Sequence, residues 1–346
     1  MMDDFTLEQL RAILEARKLE ETLDTRALTR RESRVLRNFT KILGVELDFV
    51  PAGTRTHPLA NIPSSAIFAE MRSRQKVLYG EDDRVEVVNC TDPVRCERAR
   101  SVGAIVERSK LVALGESMVS IGGSTLEQRY ALAGKPLCKR EAFRAQPCAA
   151  LGSAFLVAPN IIATAHHCLN EKTFAARCLV FDFETGADGV TPTQFRVEQF
   201  YGFSRYLAGA FSADGADWAL IELDRSVEDR LPLALASSAD AVDLLPLYVI
   251  GHPSGLPKKI AGNAEIRGNT APSHFVANLD TFGGNSGSPV FNALTNEVEG
   301  ILVRGDTDFV PLGDCYASLI CPLIGCRGED CARIKPVIEF LAGQPN

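Results

Sequence analysis

The sequence predicts an all-β fold for most of the chain, with helices in its first quarter and at its end. Apolar or alternating runs of strand length recur, for example over residues 102–106 and 178–183, and turn residues separate them. The first quarter instead places leucines and isoleucines at helical spacing. Residues 333–341 again have a helical pattern, with Pro336 in the first turn, where proline is well tolerated.

Residues 1–76 are predicted to form a helical N-terminal segment. Its expected helices cover residues 5–26, 29–43 and 67–75. Residues 50–63 are rich in Pro, Gly and Asn, as in a linker. Because the helical pattern then gives way to strands, residues 77–346 are predicted to be a separate domain. Its first strands are expected at residues 85–88 and 111–120.

Composition and charge limit the kinds of partner. The 346 residues are 46% hydrophobic and 23% charged, which is typical of a globular protein of two or three domains. A net charge of −7 argues against nucleic acid as a partner. The longest apolar runs have only the length of a strand, so no membrane association is expected.

The chain carries conflicting indications of its cellular compartment. Residues 1–40 are dense in Arg, Glu and Asp and lack the apolar central region of a secretory signal, which indicates a cytoplasmic protein. The ten cysteines indicate the opposite, since an even number in local groups favours a disulfide framework. These groups are Cys90 with Cys96, Cys138 with Cys148, Cys168 with Cys178, and Cys315, Cys321, Cys326 and Cys331.

The state of these cysteines has three interpretations. In an oxidising environment Cys168 and Cys178 are expected to pair and to fix the chain just beyond His167. Free thiols are the alternative. A zinc site formed by the last four is less favoured, because spacings of five to six residues do not match the usual Cys-x-x-Cys ligand pairs. No metal site is therefore predicted.

The segment Gly-Gly-Asn-Ser-Gly-Ser-Pro-Val, residues 283–290, has the composition of a nucleophile turn. A serine between glycines can hold its hydroxyl clear of the backbone, while neighbouring N–H groups converge on one point. Acyl transfer needs this arrangement of a nucleophile and an oxyanion hole. Ser286 is the predicted nucleophile, and the N–H groups of Gly284 and Ser286 are the predicted oxyanion hole. The alternative is an ordinary loop between two strands.

Two other segments supply the groups that would activate this serine. An apolar run ends at His167, and histidine is the natural base for a hydroxyl at neutral pH. Asp217 begins another apolar run, and a buried carboxylate beside an imidazole fixes its tautomer. Alone, His167 could be a core histidine and Asp217 a strand-start cap. Together with Ser286, the three favour a catalytic triad.

The three segments, Thr-Ala-His-His-Cys, Asp-Trp-Ala-Leu and Gly-Asn-Ser-Gly, resemble the signatures of the trypsin-like serine peptidases. The last segment, with its Ser-Pro-Val continuation, resembles the bacterial glutamyl endopeptidase branch. The resemblance implies a double β-barrel with His167, Asp217 and Ser286 in the cleft between the barrels. It implies a serine endopeptidase that acts on protein or peptide substrates without a cofactor. The pancreatic relatives also imply Cys148 as a rival partner for Cys168.

The residues that would receive the substrate give opposing indications. Asp280 lies six residues before Ser286, where the pancreatic trypsins have the acid of the primary pocket, so it favours Arg or Lys at the cleaved bond. The glutamyl branch instead uses a histidine at the position of Leu302. Arg304 could neutralise Asp280 or receive an acidic side chain. Leu302, Arg304 and the following Gly305 are the other predicted substrate-binding residues.

His252 and His274 lie outside the predicted triad, and the mechanism needs neither. Residues 251–259, which include His252, have the composition of a turn, with the rim of a substrate cleft as the alternative. His274 could face the cleft or the surface.

The resemblance also predicts a precursor that is cut near Lys76, because the segment beginning at Val77 resembles the mature start of the glutamyl branch. Residues 1–76 would then be a pro-segment or a regulatory domain that binds a regulator; the alternative is a permanently attached helical domain. Two alternatives to an ordinary peptidase are a catalytically silent binding protein with the same fold and an intracellular effector protease regulated through this segment.

Overall fold

The computed structural model describes residues 82–212, 215–237, 241–304, 309–319 and 328–343. The helices predicted for residues 1–76 and the expected cleavage site near Lys76 lie outside the described residues. Within the described ranges, no helix has both the length and the apolar character needed to cross a membrane.

Strands dominate this part of the chain. They are β1 (Val85–Glu86), β2 (Val102–Glu107), β3 (Val112–Ala113), β4 (Met118–Ser120), β5 (Gly152–Ala158), β6 (Ile161–Thr164), β7 (Arg177–Val180), β8 (Gln194–Arg196), β9 (Phe200–Phe211), β10 (Asp217–Leu223), β11 (Pro246–Gly251), β12 (Lys259–Gly268), β13 (His274–Ala277), β14 (Pro289–Asn292), β15 (Val298–Arg304), β16 (Phe309–Leu312), β17 (Cys315–Ser318) and β18 (Glu329–Arg333). The helices are α1 (Pro93–Arg100), α2 (Leu126–Leu132) and α3 (Lys335–Ala342).

The first barrel closes in the order β10-β6-β5-β2-β7-β9. Apolar side chains are buried on both faces of this sheet, with Phe155 and Leu220 on one face and Ile162 on the other. The register between β9 and β10 shifts after Leu220, and such bulges bend a strand enough to let a small sheet close. Closure leaves the barrel without unpaired edges.

The second barrel has the order β12-β11-β14-β15-β18-β13 and closes through the pairing of β12 with β13. The short β1 adds to β12 on the outside. A separate buried cluster, which includes Val249, Phe275 and Leu302, fills this barrel. The predicted double barrel is therefore confirmed for the described residues. The predicted C-terminal helix is α3, which has Pro336 in its first turn and buries Val337.

Two short helices were not predicted, because their mostly exposed, polar sequences have no apolar period. The side chain of Asp92 caps α1 by accepting from the N–H groups of Val94 and Arg95. A reciprocal pair of hydrogen bonds between Thr125 and Gln128 caps α2. These capping residues, with Pro93 at the first position of α1, are sequence signals for the two helices.

The strand predicted over residues 111–120 is instead a hairpin of β3 and β4. Gly115 interrupts the run with a φ of 85°, a conformation that favours glycine. The strand predicted over residues 85–88 is also shorter, since a helical turn over Val87–Asn89 follows β1.

The cysteine pairing differs from the expected local pattern. Cys138 bonds to Cys315, 177 residues away, rather than to Cys148. The predicted bond between Cys168 and Cys178 is wrong, and so is the implied bond between Cys168 and Cys148, because all three thiols are free. Cys168 and Cys178 pack in different buried clusters, so their side chains do not meet.

Gly152 occupies the position that faces Cys168. A Cβ atom built on Gly152 would lie 2.7 Å from Cys168 Sγ, so the thiol packs against bare backbone. A glycine carries no sulfur, and Cys168 therefore has no disulfide partner at this position.

Removing the disulfide is expected to lower the free energy of unfolding by about 2 to 5 kcal/mol, since the bond closes a very long loop in the unfolded chain. The bond attaches the β16–β17 hairpin to the segment that precedes β5. Urea denaturation of Cys138→Ser under oxidising conditions measures the effect. The matched control is Cys148→Ser, which alters a free, half-buried thiol. An equal loss of unfolding free energy in Cys138→Ser and Cys148→Ser would contradict a stabilising role for the disulfide.

Candidate active site

His167 and Asp217 meet at one end of the first barrel. His167 lies in the turn that follows β6, and Asp217 begins β10, which pairs with β6. The Asp217 carboxylate accepts a hydrogen bond from the His167 backbone N–H at 3.2 Å, and its other oxygen lies 2.8 Å from Nδ1 of the ring. Asp217 is 1% exposed, whereas the imidazole is 38% exposed. The buried carboxylate thus fixes the orientation of a ring that still reaches solvent.

This environment changes the proton affinity of His167. Burial lowers the pKa of the imidazole, but hydrogen bonds with Asp217 and with the Cys168 thiol raise it, and the net result is a pKa of about 10. The pair is therefore most stable with a protonated ring. A buried carboxylate that favours the imidazolium in this way also favours proton transfer to the ring during a reaction.

Ser286 lies in a turn of the second barrel, immediately before β14. The turn is closed by backbone hydrogen bonds from Asn285 to Phe282 at 3.0 Å and from Ser288 to Asn285 at 2.9 Å. Gly284 and Gly287 have φ values of 100° and 87°, so the path of the chain requires glycine at both positions. The Ser286 hydroxyl is half-buried and donates to the Val303 carbonyl at 3.5 Å.

The N–H groups of Gly284 and Ser286 donate to no acceptor among the described residues. By contrast, the N–H groups of Asn285, Gly287 and Ser288 all donate to backbone carbonyls. The turn therefore leaves two N–H groups available, those of Gly284 and Ser286, on either side of Asn285. Backbone N–H groups without an acceptor are the kind of donor that can stabilise a developing oxyanion.

The structure brings the histidine and serine turns together through their neighbours. The Cys168 thiol, next to His167, donates to the Ser286 carbonyl at 3.5 Å. The same carbonyl accepts the N–H of Ser153, on β5, at 2.8 Å. Within the described part of the chain, the Ser286 hydroxyl makes no hydrogen bond to His167.

The predicted substrate-binding residues occupy different environments. Asp280 is 3% exposed and accepts a hydrogen bond from the backbone N–H of Asp83 at 3.4 Å, so the segment before β1 already contacts it. The Leu302 side chain belongs to the buried cluster of the second barrel, and its backbone hydrogen-bonds Gly287 and Ser288 of the nucleophile turn. Arg304 ends β15. Its side chain and Gly305 lie outside what the structure describes.

The remaining histidines have separate surroundings. The ring of His166 stacks on Phe211, with centroids 5.6 Å apart. His274 lies on β13, where its ring nitrogen is 3.1 Å from the Ser273 hydroxyl. His252 is fully buried, so the interpretation of its side chain as the rim of a cleft is wrong. No His, Cys, Asp or Glu cluster suited to a metal ion occurs among the described residues.

Sequence reasoning missed the residues that support the nucleophile turn. Thr164, at the end of β6, donates its hydroxyl to the Ser153 carbonyl at 2.7 Å. A Cβ atom on Gly287 would overlap this carbonyl and the Thr164 hydroxyl. A serine and a threonine within apolar strands carry no sequence signal for such a role, because only the three-dimensional packing brings them to the turn.

A family model and a known protein match parts of this chain. Residues 152–301 match the family model of the trypsin-like peptidase domain. The chain is 27% identical over 146 residues to the secreted RxLR effector protein 73 of Plasmopara viticola. That match covers 39% of this chain and 36% of the relative, so the chain spans about a third of the relative's length.

The chain is also similar to two solved structures. One is the VesB protease of Vibrio cholerae, with a TM-score of 0.45 and 13% identity over 76% of this chain and 68% of that one. The other is a Glu endopeptidase, with a TM-score of 0.44 and 14% identity over 77% of this chain and 98% of that one. Residues 152–301 thus match the sequence model of a trypsin-like peptidase domain.

Proposed function

We propose that this peptidase is a serine endopeptidase in which Ser286 is the nucleophile, His167 the general base and Asp217 the residue that orients the base. The proposal rests on one observation above all. The buried Asp217 carboxylate holds Nδ1 of His167 at 2.8 Å, and the residue after His167 contacts the Ser286 carbonyl. A solvent-accessible imidazole held in this way can remove a proton from a nearby hydroxyl.

The proposed reaction proceeds in two halves. Ser286 Oγ attacks the peptide carbonyl while Nε2 of His167 takes its proton. The N–H groups of Gly284 and Ser286 bind the oxyanion, and His167 then protonates the leaving amine. A water molecule, activated by the same imidazole, hydrolyses the acyl enzyme. A fluorophosphonate, which reacts with activated serines, tests this assignment when applied to the wild type and to Ser286→Ala.

The proposed substrate is a protein or peptide. Asp280 favours a basic side chain before the cleaved bond, through a charge-assisted hydrogen bond. Its contact with Asp83 leaves the segment before β1 beside this part of the site. Residues 1–76 are proposed, from their sequence, to be a pro-segment or a regulatory domain.

The rate of hydrolysis is expected to increase with pH through a value well above 6.5, the ordinary pKa of histidine, because only the neutral ring accepts the serine proton. The contribution of the ion pair to stability has the opposite dependence. This stabilising contribution is fully present below pH 6.5 and is lost as the pH rises through about 10, because the pKa of His167 is raised in the folded state.

The pH profile of kcat/KM and an NMR titration of the His167 ring check this expectation. In Asp217→Asn the negative charge and one of the two acceptor oxygens are lost, while burial, which lowers the pKa, remains. The His167 titration should therefore move to lower pH in this variant. An unchanged titration would show that Asp217 does not control the proton on His167.

A further inference from the structure

His252 connects the two barrels directly behind the nucleophile turn. It follows β11, and its ring is fully buried and stacked parallel to Phe183, with centroids 6.1 Å apart. Nδ1 lies 3.1 Å from the hydroxyl of Ser153 on β5, and the His252 backbone N–H donates to the same hydroxyl at 3.0 Å. One serine side chain of the first barrel thus holds both the ring and the backbone of a second-barrel histidine.

Ser153 transmits this attachment to the proposed nucleophile. Its N–H donates to the Ser286 carbonyl at 2.8 Å, and its own carbonyl accepts the Thr164 hydroxyl at 2.7 Å. The path from His252 to Ser286 therefore consists of one side-chain contact and one backbone hydrogen bond. A shift of Ser153 would move the carbonyl of the residue whose hydroxyl is to react.

The backbone that follows His252 supports the proposed oxyanion hole from the other side. A Cβ atom on Gly284 would lie 2.7 Å from the Gly255 nitrogen and 3.0 Å from the His252 carbonyl oxygen, so these segments are in close contact. The Gly255 carbonyl accepts the N–H groups of Ala149 and Ala150. The turn over Pro253–Gly255 is thus held between the first barrel and Gly284.

We infer that His252 is a positioning residue, which acts through the Ser153 hydroxyl and the Pro253–Gly255 turn to hold Ser286 and the N–H of Gly284 in register with His167. The inference rests on the proposed function, because it concerns how the proposed nucleophile and oxyanion hole are held in position. His252 touches neither the substrate nor the reacting atoms. His252 therefore affects the alignment of the reacting groups and not the affinity for substrate.

Charge supports a positional role over a role in proton transfer. Burial, and then the positive charges of Lys258 and Lys259, lower the pKa of His252 well below its ordinary value. Lys258 is itself held by Glu184 at 3.0 Å, and Lys259 by Glu86 at 2.9 Å. The ring thus remains neutral and serves as a fixed hydrogen-bonding group.

Four variants test the inference. His252→Phe keeps an aromatic ring against Phe183 but removes Nδ1, and Ser153→Ala removes the other partner. His252→Asn restores a polar atom near the position of Nδ1. The matched control is Tyr248→Phe, which removes a different hydrogen bond of a buried ring on β11, that from Tyr248 to Asn296 at 2.9 Å.

The measurements are kcat and KM on a peptide substrate and amide hydrogen exchange over residues 284–287. His252→Phe and Ser153→Ala are expected to lower kcat about tenfold to a hundredfold, as displacements of reacting groups do, with little change in KM. Exchange in the turn should accelerate in both variants. Ser153→Ala removes both hydrogen bonds of this hydroxyl, whereas His252→Phe removes only the one to the ring, so the double variant should lose little more than Ser153→Ala alone. His252→Asn should recover much of the loss, and Tyr248→Phe should keep the wild-type kcat.

Several results would overturn the inference. One is a loss of kcat in His252→Phe no larger than that in Tyr248→Phe. A second is an effect on KM alone. A third is that His252→Asn is as impaired as His252→Phe, and a fourth is unchanged amide hydrogen exchange at residues 284–287. The exchange measurement does not depend on catalysis. A wild-type protein that neither hydrolyses peptides nor labels at Ser286 would contradict the proposed function, while exchange would still decide the role of His252.

Discussion

Ser286→Ala is expected to abolish peptide hydrolysis and fluorophosphonate labelling together. Loss of the nucleophile from a serine triad lowers kcat by about a millionfold, and the oxyanion donors alone leave only a small residual rate. His167→Ala should have nearly the same effect, because the groups act as one unit. The measurements are kcat on a peptide substrate and the mass of the labelled active-site peptide.

The neighbouring Ser288 provides the matched control for this prediction. It belongs to the same turn, but its hydroxyl is buried and makes no hydrogen bond with any described residue. Ser288→Ala should therefore keep labelling at Ser286 and most of the hydrolysis. Hydrolysis that survives in Ser286→Ala would reject Ser286 as the nucleophile. Loss of labelling in Ser288→Ala alone would indicate that the reactive serine is misassigned.

Gly287→Ala is expected to lower the free energy of unfolding by about 2 to 5 kcal/mol, the sum of two costs. The φ of 87° at this position costs an L-residue about 1 to 2 kcal/mol. The new Cβ would also overlap the Ser153 carbonyl and the Thr164 hydroxyl, and forced displacement in a packed interior costs about 1 to 3 kcal/mol. Urea denaturation measures the change in stability, and the loss of fluorophosphonate labelling reports the displaced turn.

Gly115→Ala separates the two costs. Gly115 has a φ of 85°, but a Cβ there would meet no atom within 4 Å. This variant should therefore lose only the backbone part, about 1 to 2 kcal/mol. A loss in Gly287→Ala no greater than that in Gly115→Ala would mean that the nucleophile turn can move away from Ser153 without cost.

The sequence predicted those parts of the site that depend on local chemistry. His167, Asp217 and Ser286 were each recognisable because an apolar run places a reactive residue at its end or in a glycine-rich turn. The structure confirms that His167 meets Asp217, although 50 residues separate them. Strand pairing explains this contact, since β6 and β10 are antiparallel neighbours.

The parts that depend on distant packing could not be predicted in the same way. Nothing near Cys138 in sequence indicates Cys315, because their meeting depends on how the β16–β17 hairpin folds against the segment before β5. The contact of Asp280 with Asp83 joins residues 197 apart. His252 was interpreted from its turn-forming neighbours, and these neighbours do not show that its ring is buried.

The division of the proposed triad between two barrels also orders its appearance during synthesis. A ribosome completes the strands that carry His167 and Asp217 before it reaches Ser286, and chains grow by only about 5 to 20 residues per second. For several seconds the first barrel can fold with a base and an orienting acid but without a nucleophile. Under the proposed assignment, a partly made chain is therefore unable to cleave the proteins around it, and hydrolysis begins only when the second barrel closes.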